Sequence, residues 1–144
     1  MGKKRIIQKA DLTTEAGRTA AIKLSSSKKG VTEARINIFS TYNNTLVAVA
    51  DLKGDLLMSS SSGALGFSGT KKGTPYAATK VAEFLGEKAK AAGIKTLSIR
   101  VKGIGAGRDA ALRSFVAQGF EINSIRDATP IPHGGVKPPK PRRV

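Results

Sequence analysis

The chain reads as an α/β domain built on a mixed five-stranded sheet with helices packed on it, and three patterns predict this. Alternating or continuous apolar runs mark strands near residues 34–39, 46–50, 55–58, 96–102 and 120–126. Apolar residues at helical spacing mark two helices, one before and one after the fourth strand. The resulting order, β-β-β-α-β-α-β, makes the last two strands parallel ones, each reached by a right-handed helical crossover.

Each element has its own warrant. Ala34-Arg35-Ile36-Asn37-Ile38-Phe39 alternates as a half-buried strand does. Ser40-Thr41-Tyr42-Asn43-Asn44 has a turn composition, in which Asn readily takes positive φ. Residues 46–50 are a continuous apolar run, which predicts a central strand covered on both faces. Lys53-Gly54 reverses the chain into Asp55-Leu56-Leu57-Met58, completing an antiparallel meander. The Ser- and Gly-rich segment 59–73 is expected to stay outside the core.

The first helix is signposted at both ends, by Thr74 as N-cap with Pro75 at its first position and by Gly93 as its stop. Ala78, Val81, Ala82, Leu85, Ala89 and Ala92 form its apolar face. Leu97, Ile99 and Val101 line one side of the next strand. A second helix opens near Arg108, buries Ala111, Leu112, Phe115 and Val116, and ends at Gly119. The last strand sets Phe120, Ile122 and Ser124 against Glu121, Asn123 and Ile125.

Three zones follow from composition. Residues 1–30 are a basic N-terminal extension with a short helix possible over 12–23, residues 31–128 the folded domain, and residues 129–144 an extended basic Pro- and Gly-rich tail. The 144 residues carry 25 Lys and Arg against 10 Asp and Glu, a net charge of +15. Self-repulsion on that scale does nothing for stability and points to a polyanionic partner. A membrane surface is the weaker candidate, because the helices present small apolar residues rather than bulky anchors. No stretch has the length of a membrane span, and no apolar run follows Lys3, Lys4 and Arg5, so the expected compartment is the cytoplasm.

Catalysis finds little support. Cysteine is absent and His133 is the single histidine, so neither a thiolate zinc centre nor a Ser-His-Asp arrangement is expected. A metal-dependent nuclease needs several acids converging on metal ions. Here Asp51 and Asp55 flank a hairpin turn, while Glu83, Glu87 and Asp109 fall at surface helix positions. The expectation is a binding protein, not an enzyme, with no cofactor, metal or small-molecule substrate.

Three segments are candidates for binding a nucleic acid. Lys102-Gly103-Ile104-Gly105-Ala106-Gly107-Arg108 follows a strand and opens a helix, where backbone N–H groups and the positive helix end suit a phosphate. In this reading Gly103, Gly105 and Gly107 admit the phosphate, and Lys102 and Arg108 neutralise it. Its G-x-G-x-G spacing is not the dinucleotide fingerprint, and an unliganded tight turn would look similar. The loop Phe67-Ser68-Gly69-Thr70-Lys71-Lys72-Gly73-Thr74 joins two cations and three hydroxyls to an aromatic ring available for stacking, although a solvated loop has the same composition. The tail from Ile131 contains no acid and can thread between RNA helices, or serve merely as a solubilising tail. In it His133 is a stacking or hydrogen-bonding residue, and Lys137, Lys140, Arg142 and Arg143 carry charge.

Four ordered segments also carry a resemblance. They are Tyr42-Asn43-Asn44-Thr45, the run from Gly66 through Lys71-Lys72-Gly73-Thr74 to Pro75, the glycine turn 102–108, and Asp127-Ala128-Thr129-Pro130-Ile131-Pro132-His133-Gly134-Gly135. Together with Pro138, Pro139, Arg142, Arg143 and Val144, they make the chain from about residue 31 resemble the bacterial-type family of small-subunit ribosomal protein eleven.

The resemblance implies a ribonuclease H-like fold without the nuclease acids. It implies a structural role in the platform of the small ribosomal subunit, near where messenger RNA leaves. The partners it implies are the central domain of the small-subunit ribosomal RNA and small-subunit proteins eighteen and twenty-one. By position, Asn43, Asn44, Thr45, Phe67, Ser68, Lys71, Lys72, Thr74, Gly105 and Arg108 would face RNA, as would the tail from His133. The chain departs from the family where it has Gly134-Gly135 for Asn-Gly, Val136-Lys137 for Cys-Arg, and Pro141 within a basic run.

Overall fold

The computed structural model describes residues 30–141. The N-terminal extension, with the helix expected over 12–23, lies outside those residues, as do Arg142, Arg143 and Val144.

The strands are β1 (Glu33–Ser40), β2 (Thr45–Ala50), β3 (Leu56–Ser61), β4 (Thr96–Gly103) and β5 (Glu121–Asp127). A 3-10 turn over Gly69–Gly73 leads into α1 (Pro75–Ala91), and α2 (Gly107–Ala117) joins β4 to β5. The five strands form one sheet in the order β3-β2-β1-β4-β5. β1, β2 and β3 pair antiparallel, whereas β4 runs parallel to β1 and β5 parallel to β4. This is the mixed sheet and element order that the periodicities predict.

Alternation decides which face is covered. Ala34, Ile36, Ile38, Val47, Val49, Met58, Leu97, Ile99 and Val101 are all buried and stand on one face of the sheet. Against them lie Ala78, Val81, Ala82, Leu85 and Ala89 of α1 with Ala111 and Phe115 of α2. The alanine-rich stripe lets the two helices approach each other closely, so both sit on the same side. Phe115 fills the space between, and its complete burial contributes about 1.5–3 kcal/mol. At the far end of α1, Gly93 takes φ +89° and releases the chain toward β4, as its place after the helix predicts.

Several local expectations are corrected. β2 is covered on one face only, since Leu46 is 43% exposed on the other. Its unbroken apolar run reflects Ala and Leu on an open face rather than burial on both. β3 continues into the serine run, and Ser60 and Ser62 are buried: Ser62 Oγ donates to Thr45 O at 3.4 Å, whereas Ser60 Oγ has no hydrogen-bond partner among the described residues. Val116 is 49% exposed and stands off the buried stripe of α2. A register shift at Leu97/Ser98 breaks the simple alternation of β5, so Ile122 opposes Leu97 but Ser124 opposes Ser98.

Candidate nucleic-acid interface

The motif segments meet at one edge of the domain. β1, β4 and β5 all end there, and both helices begin there, so two positive helix ends share the edge with the turns between.

The turn after β1 is closed by its own threonine. Thr41 N–H donates to Asn44 O at 2.9 Å, and Thr41 Oγ1 accepts from Asn43 N at 3.4 Å and Asn44 N at 3.2 Å. Asn44 Oδ1 accepts from Thr45 N at 3.0 Å, which leaves its amide nitrogen as the outward group. Asn43 is exposed. Among the described residues no residue other than glycine has positive φ, so neither asparagine adopts the left-handed conformation that the composition suggests.

The loop before α1 packs onto that turn. A Cβ added at Gly73 would lie 2.0 Å from Tyr42 O, so only glycine lets the two backbones touch. Thr74 caps α1 as its sequence predicts, accepting from Ala77 N at 3.3 Å and donating to Lys71 O at 2.7 Å. That pair of bonds fixes the 3-10 turn, on which Ser68 and Lys71 are exposed and Lys72 is half-buried. Phe67 is half-buried against Tyr76, with the rings edge to face at 6.1 Å. The freer rings at this edge are Tyr42, 74% exposed, and Tyr76, 65% exposed. Sequence reasoning missed both. Tyr42 stands within the Asn-Asn motif and Tyr76 outside the apolar stripe of α1, and those placements are the signals that mark them.

The glycine turn does something different from what its composition suggests. Gly103 N–H donates to Thr129 Oγ1 at 3.2 Å and Gly105 N–H to Ser40 O at 3.0 Å, so both donors are used inside the protein. A Cβ at Gly105 would fall 2.3 Å from Thr41 O, and one at Gly107 2.5 Å from Thr45 Oγ1 and 2.8 Å from Ala78 Cβ. Gly105 and Gly107 are buried, as is Thr45, whose hydroxyl meets Ser40 Oγ at 3.2 Å. These three residues are buried beneath the edge and support it. They are glycine, glycine and threonine because the turn, β2 and α1 converge with no room between them.

Arg108 is likewise engaged. Its Nη1 donates to Gly103 O at 2.7 Å and its Nη2 to Asp127 Oδ2 at 2.5 Å. Asp127 Oδ1 accepts from Thr129 N at 2.9 Å and Thr129 Oγ1 at 2.6 Å. The Thr129 hydroxyl, then its backbone N–H, then the Arg108 guanidinium hold the Asp127 carboxyl down at about 2. Arg108 thus braces the turn, and its charge is largely matched by Asp127.

Among the described residues, the cations at the edge that form no ion pair are Lys71, Lys72 and Lys102. The chain leaves β5 through Ala128, whose N–H donates to Val101 O at 2.8 Å, and continues as the irregular segment 130–141. His133, Lys137 and Lys140 are all exposed there. The edge can therefore present lysine charge, two tyrosine faces, an asparagine amide and a cationic strap, a set suited to phosphates and unpaired bases. Among the described residues no cluster of potential metal ligands forms, and no helix is long and apolar enough to cross a membrane.

The profile of the family described as ribosomal protein S11 matches residues 34–143. The small ribosomal subunit protein uS11 of Sphingopyxis alaskensis is 49% identical over 117 residues, covering 81% of this chain and 91% of that protein. The matched span takes in every strand, both helices and the four motif segments, apart from the first residue of β1. The chain therefore belongs to the ribosomal protein S11 family, as a structural and non-enzymatic protein of the small ribosomal subunit.

Proposed function

We propose that this chain binds and stabilises folded small-subunit ribosomal RNA, using the loop edge to fix its position and the basic tail to enter the RNA. The observation that carries the reading is the convergence of three loops and the root of an acid-free tail on one edge, where Lys71, Lys72 and Lys102 form no ion pair among the described residues. Asn43, Asn44, Ser68, Lys71, Lys72, Thr74 and Lys102 face RNA in this reading, as do His133, Lys137, Lys140, Arg142 and Arg143 of the tail. Tyr42 and Tyr76 join them as stacking surfaces. Specificity comes from the shape of the folded RNA rather than from base readout in a groove.

The resemblance of the four motifs extends the proposal. In this reading the chain sits on the subunit platform, against the central RNA domain, beside small-subunit proteins eighteen and twenty-one and near the exit path of messenger RNA. The compartment is the cytoplasm, within the ribosome. The net charge of +15 supports an RNA partner, and binding should weaken steeply with salt.

Sedimentation of a cell lysate at physiological and then raised salt tests the reading. The chain should travel with the small subunit and resist moderate salt. A chain truncated after Pro132 should bind folded ribosomal RNA more weakly than the intact one. Equal affinity would remove the tail from the interface, and absence from the subunit peak would point to a free RNA-binding protein.

A further inference from the structure

Both helices pack on one face of the sheet, and among the described residues no helix packs on the other. The register shows what that open face carries. Phe39 lies beside Leu46 on β2 and beside Lys102 on β4. One step along, Ala48, Asn37, Arg100 and Arg126 form a row from β2 to β5. The next row holds Arg35, Ser98 and Ser124. Directly paired residues project to the same side with Cβ atoms about 4.5–5.5 Å apart.

The face is divided. Its β1-β2-β3 half holds a groove of about 300 Å³ lined by Phe39, Leu46, Ala48, Ser59, Ser61 and Ala64. Phe39 is 45% exposed there, although it stands mid-sheet beside two strands. The β1-β4-β5 half holds Arg35, Arg100, Arg126 and Lys102, none of which forms an ion pair among the described residues. Acids on this face, Glu33 and Glu121, stand only at the far end where the strands begin. Lys102 links the cationic block to the loop edge.

Like charges set side by side in a sheet repel, and an exposed aromatic ring in the same patch gains nothing from solvent. Both features are matched by one ligand chemistry, a polyanion that also has flat apolar faces. A membrane surface supplies the charge but needs a continuous apolar face, whereas in the groove Phe39 and Leu46 are the only bulky apolar side chains half in solvent among the described residues. A protein partner needs a broader apolar core than one Phe, one Leu and two Ala provide.

The geometry points to a second RNA-binding surface on this open face, which takes a single-stranded segment with bases over Phe39 and Leu46 and phosphates along Lys102, Arg100 and Arg126. Asn37, between the two halves, is placed to hydrogen-bond a base edge. The inference extends the proposed RNA-binding function to a surface separate from the loops, and it rests on that reading only for the class of partner.

The test measures binding of the full chain to a labelled, unstructured twelve-nucleotide RNA by fluorescence anisotropy across a salt series. Arg100→Gln with Arg126→Gln should weaken binding about tenfold and reduce the salt slope by about 1.4, since each phosphate contact on a single strand contributes about 0.7. Phe39→Ala should weaken binding on the order of tenfold with the slope unchanged, as a stacking loss does. Arg126 is exposed, so the charge variant serves even if Phe39→Ala perturbs the fold. Lys71→Gln with Lys72→Gln, assayed on folded ribosomal RNA, reports separately on the loop edge. Wild-type affinity of the face variants, with folded-RNA binding lost in the loop variant, would overturn this inference and leave the proposed function standing. Wild-type behaviour of both sets would overturn both. Face variants that keep oligonucleotide affinity but no longer join the subunit would show a protein partner on the face instead, and would also overturn the inference.

Discussion

Arg108 and Asp127 stand 2.5 Å apart, Nη2 to Oδ2, and this pair ties the first turn of α2 to the last residue of β5. The Thr129 hydroxyl bears on the same carboxylate and is the larger cause of its low pKa, about 2 against an ordinary value of 3.8. A depressed carboxylate contributes stability in full above its ordinary pKa, and loses it as pH falls through the folded value. The brace should therefore hold at neutral pH and fail between about pH 4 and pH 2. An NMR titration of the Asp127 carboxyl should give a midpoint near 2. Thr129→Val should raise that midpoint more than Arg108→Gln does, and the reverse order would make the ion pair the main cause. The effect on stability is small, because the carboxylate is exposed and screened by salt.

Gly107→Ala should destabilise the domain by about 1–3 kcal/mol, the usual cost of overpacking a close-fitting site. Its new methyl would press on Thr45 Oγ1, Ala78 Cβ and Ser40 Oγ, which belong to two strands and a helix and have no free space to move into. Denaturant unfolding measures it. An unchanged midpoint would mean that the three elements separate easily.

The buried hydroxyls of Ser40 and Thr45 bond to each other, so each satisfies the other. Thr45→Val should cost about 1–3 kcal/mol, because it leaves Ser40 Oγ buried without a partner. Adding Ser40→Ala to Thr45→Val should recover part of that loss. If the double variant is less stable than the single one, the hydroxyl pair is not what the residues contribute.

Thr74→Ala should remove about 0.5–2 kcal/mol by uncapping α1, whereas Thr74→Ser should retain most of it. The same change removes the hydroxyl bond to Lys71 O, so that the Thr74 N–H at 3.3 Å alone closes the 3-10 turn there. RNA affinity should fall alongside stability, and a filter-binding series on both variants checks the link. A stability loss with no change in affinity would separate the cap from the interface.

How far the sequence could be read depended on how local the cause was. Thr74-Pro75 and Gly93 bracket α1 because capping and helix termination are settled within a turn of chain, and the composition shows both. The mixed sheet with its two later parallel strands followed from element order and crossover rules. What failed was the assignment of faces and partners. Leu46 and Val116 are apolar yet half in solvent, because hydrophobicity does not say which side of an element has something packed on it. The burial of Thr45, Gly105 and Gly107 is not legible in their motifs, since it arises from chains distant in sequence closing over them. Phe67 is the ring that its loop composition singles out, yet it is half-buried edge to face against Tyr76, while Tyr42 and Tyr76 are the exposed rings.

The contact between Gly73 and the Tyr42 carbonyl has a consequence for how a partner is met. Backbones that touch without intervening side chains cannot shift separately, so the loops around them arrive in finished form. In the proposed interface, the entropic cost of ordering, about 1–2 kcal/mol per backbone residue, then falls on the RNA and on the tail rather than on the edge. The two parts differ in kind. On the proposed function, the edge would recognise a shape that already exists, while the tail would take its path only once that shape had been found.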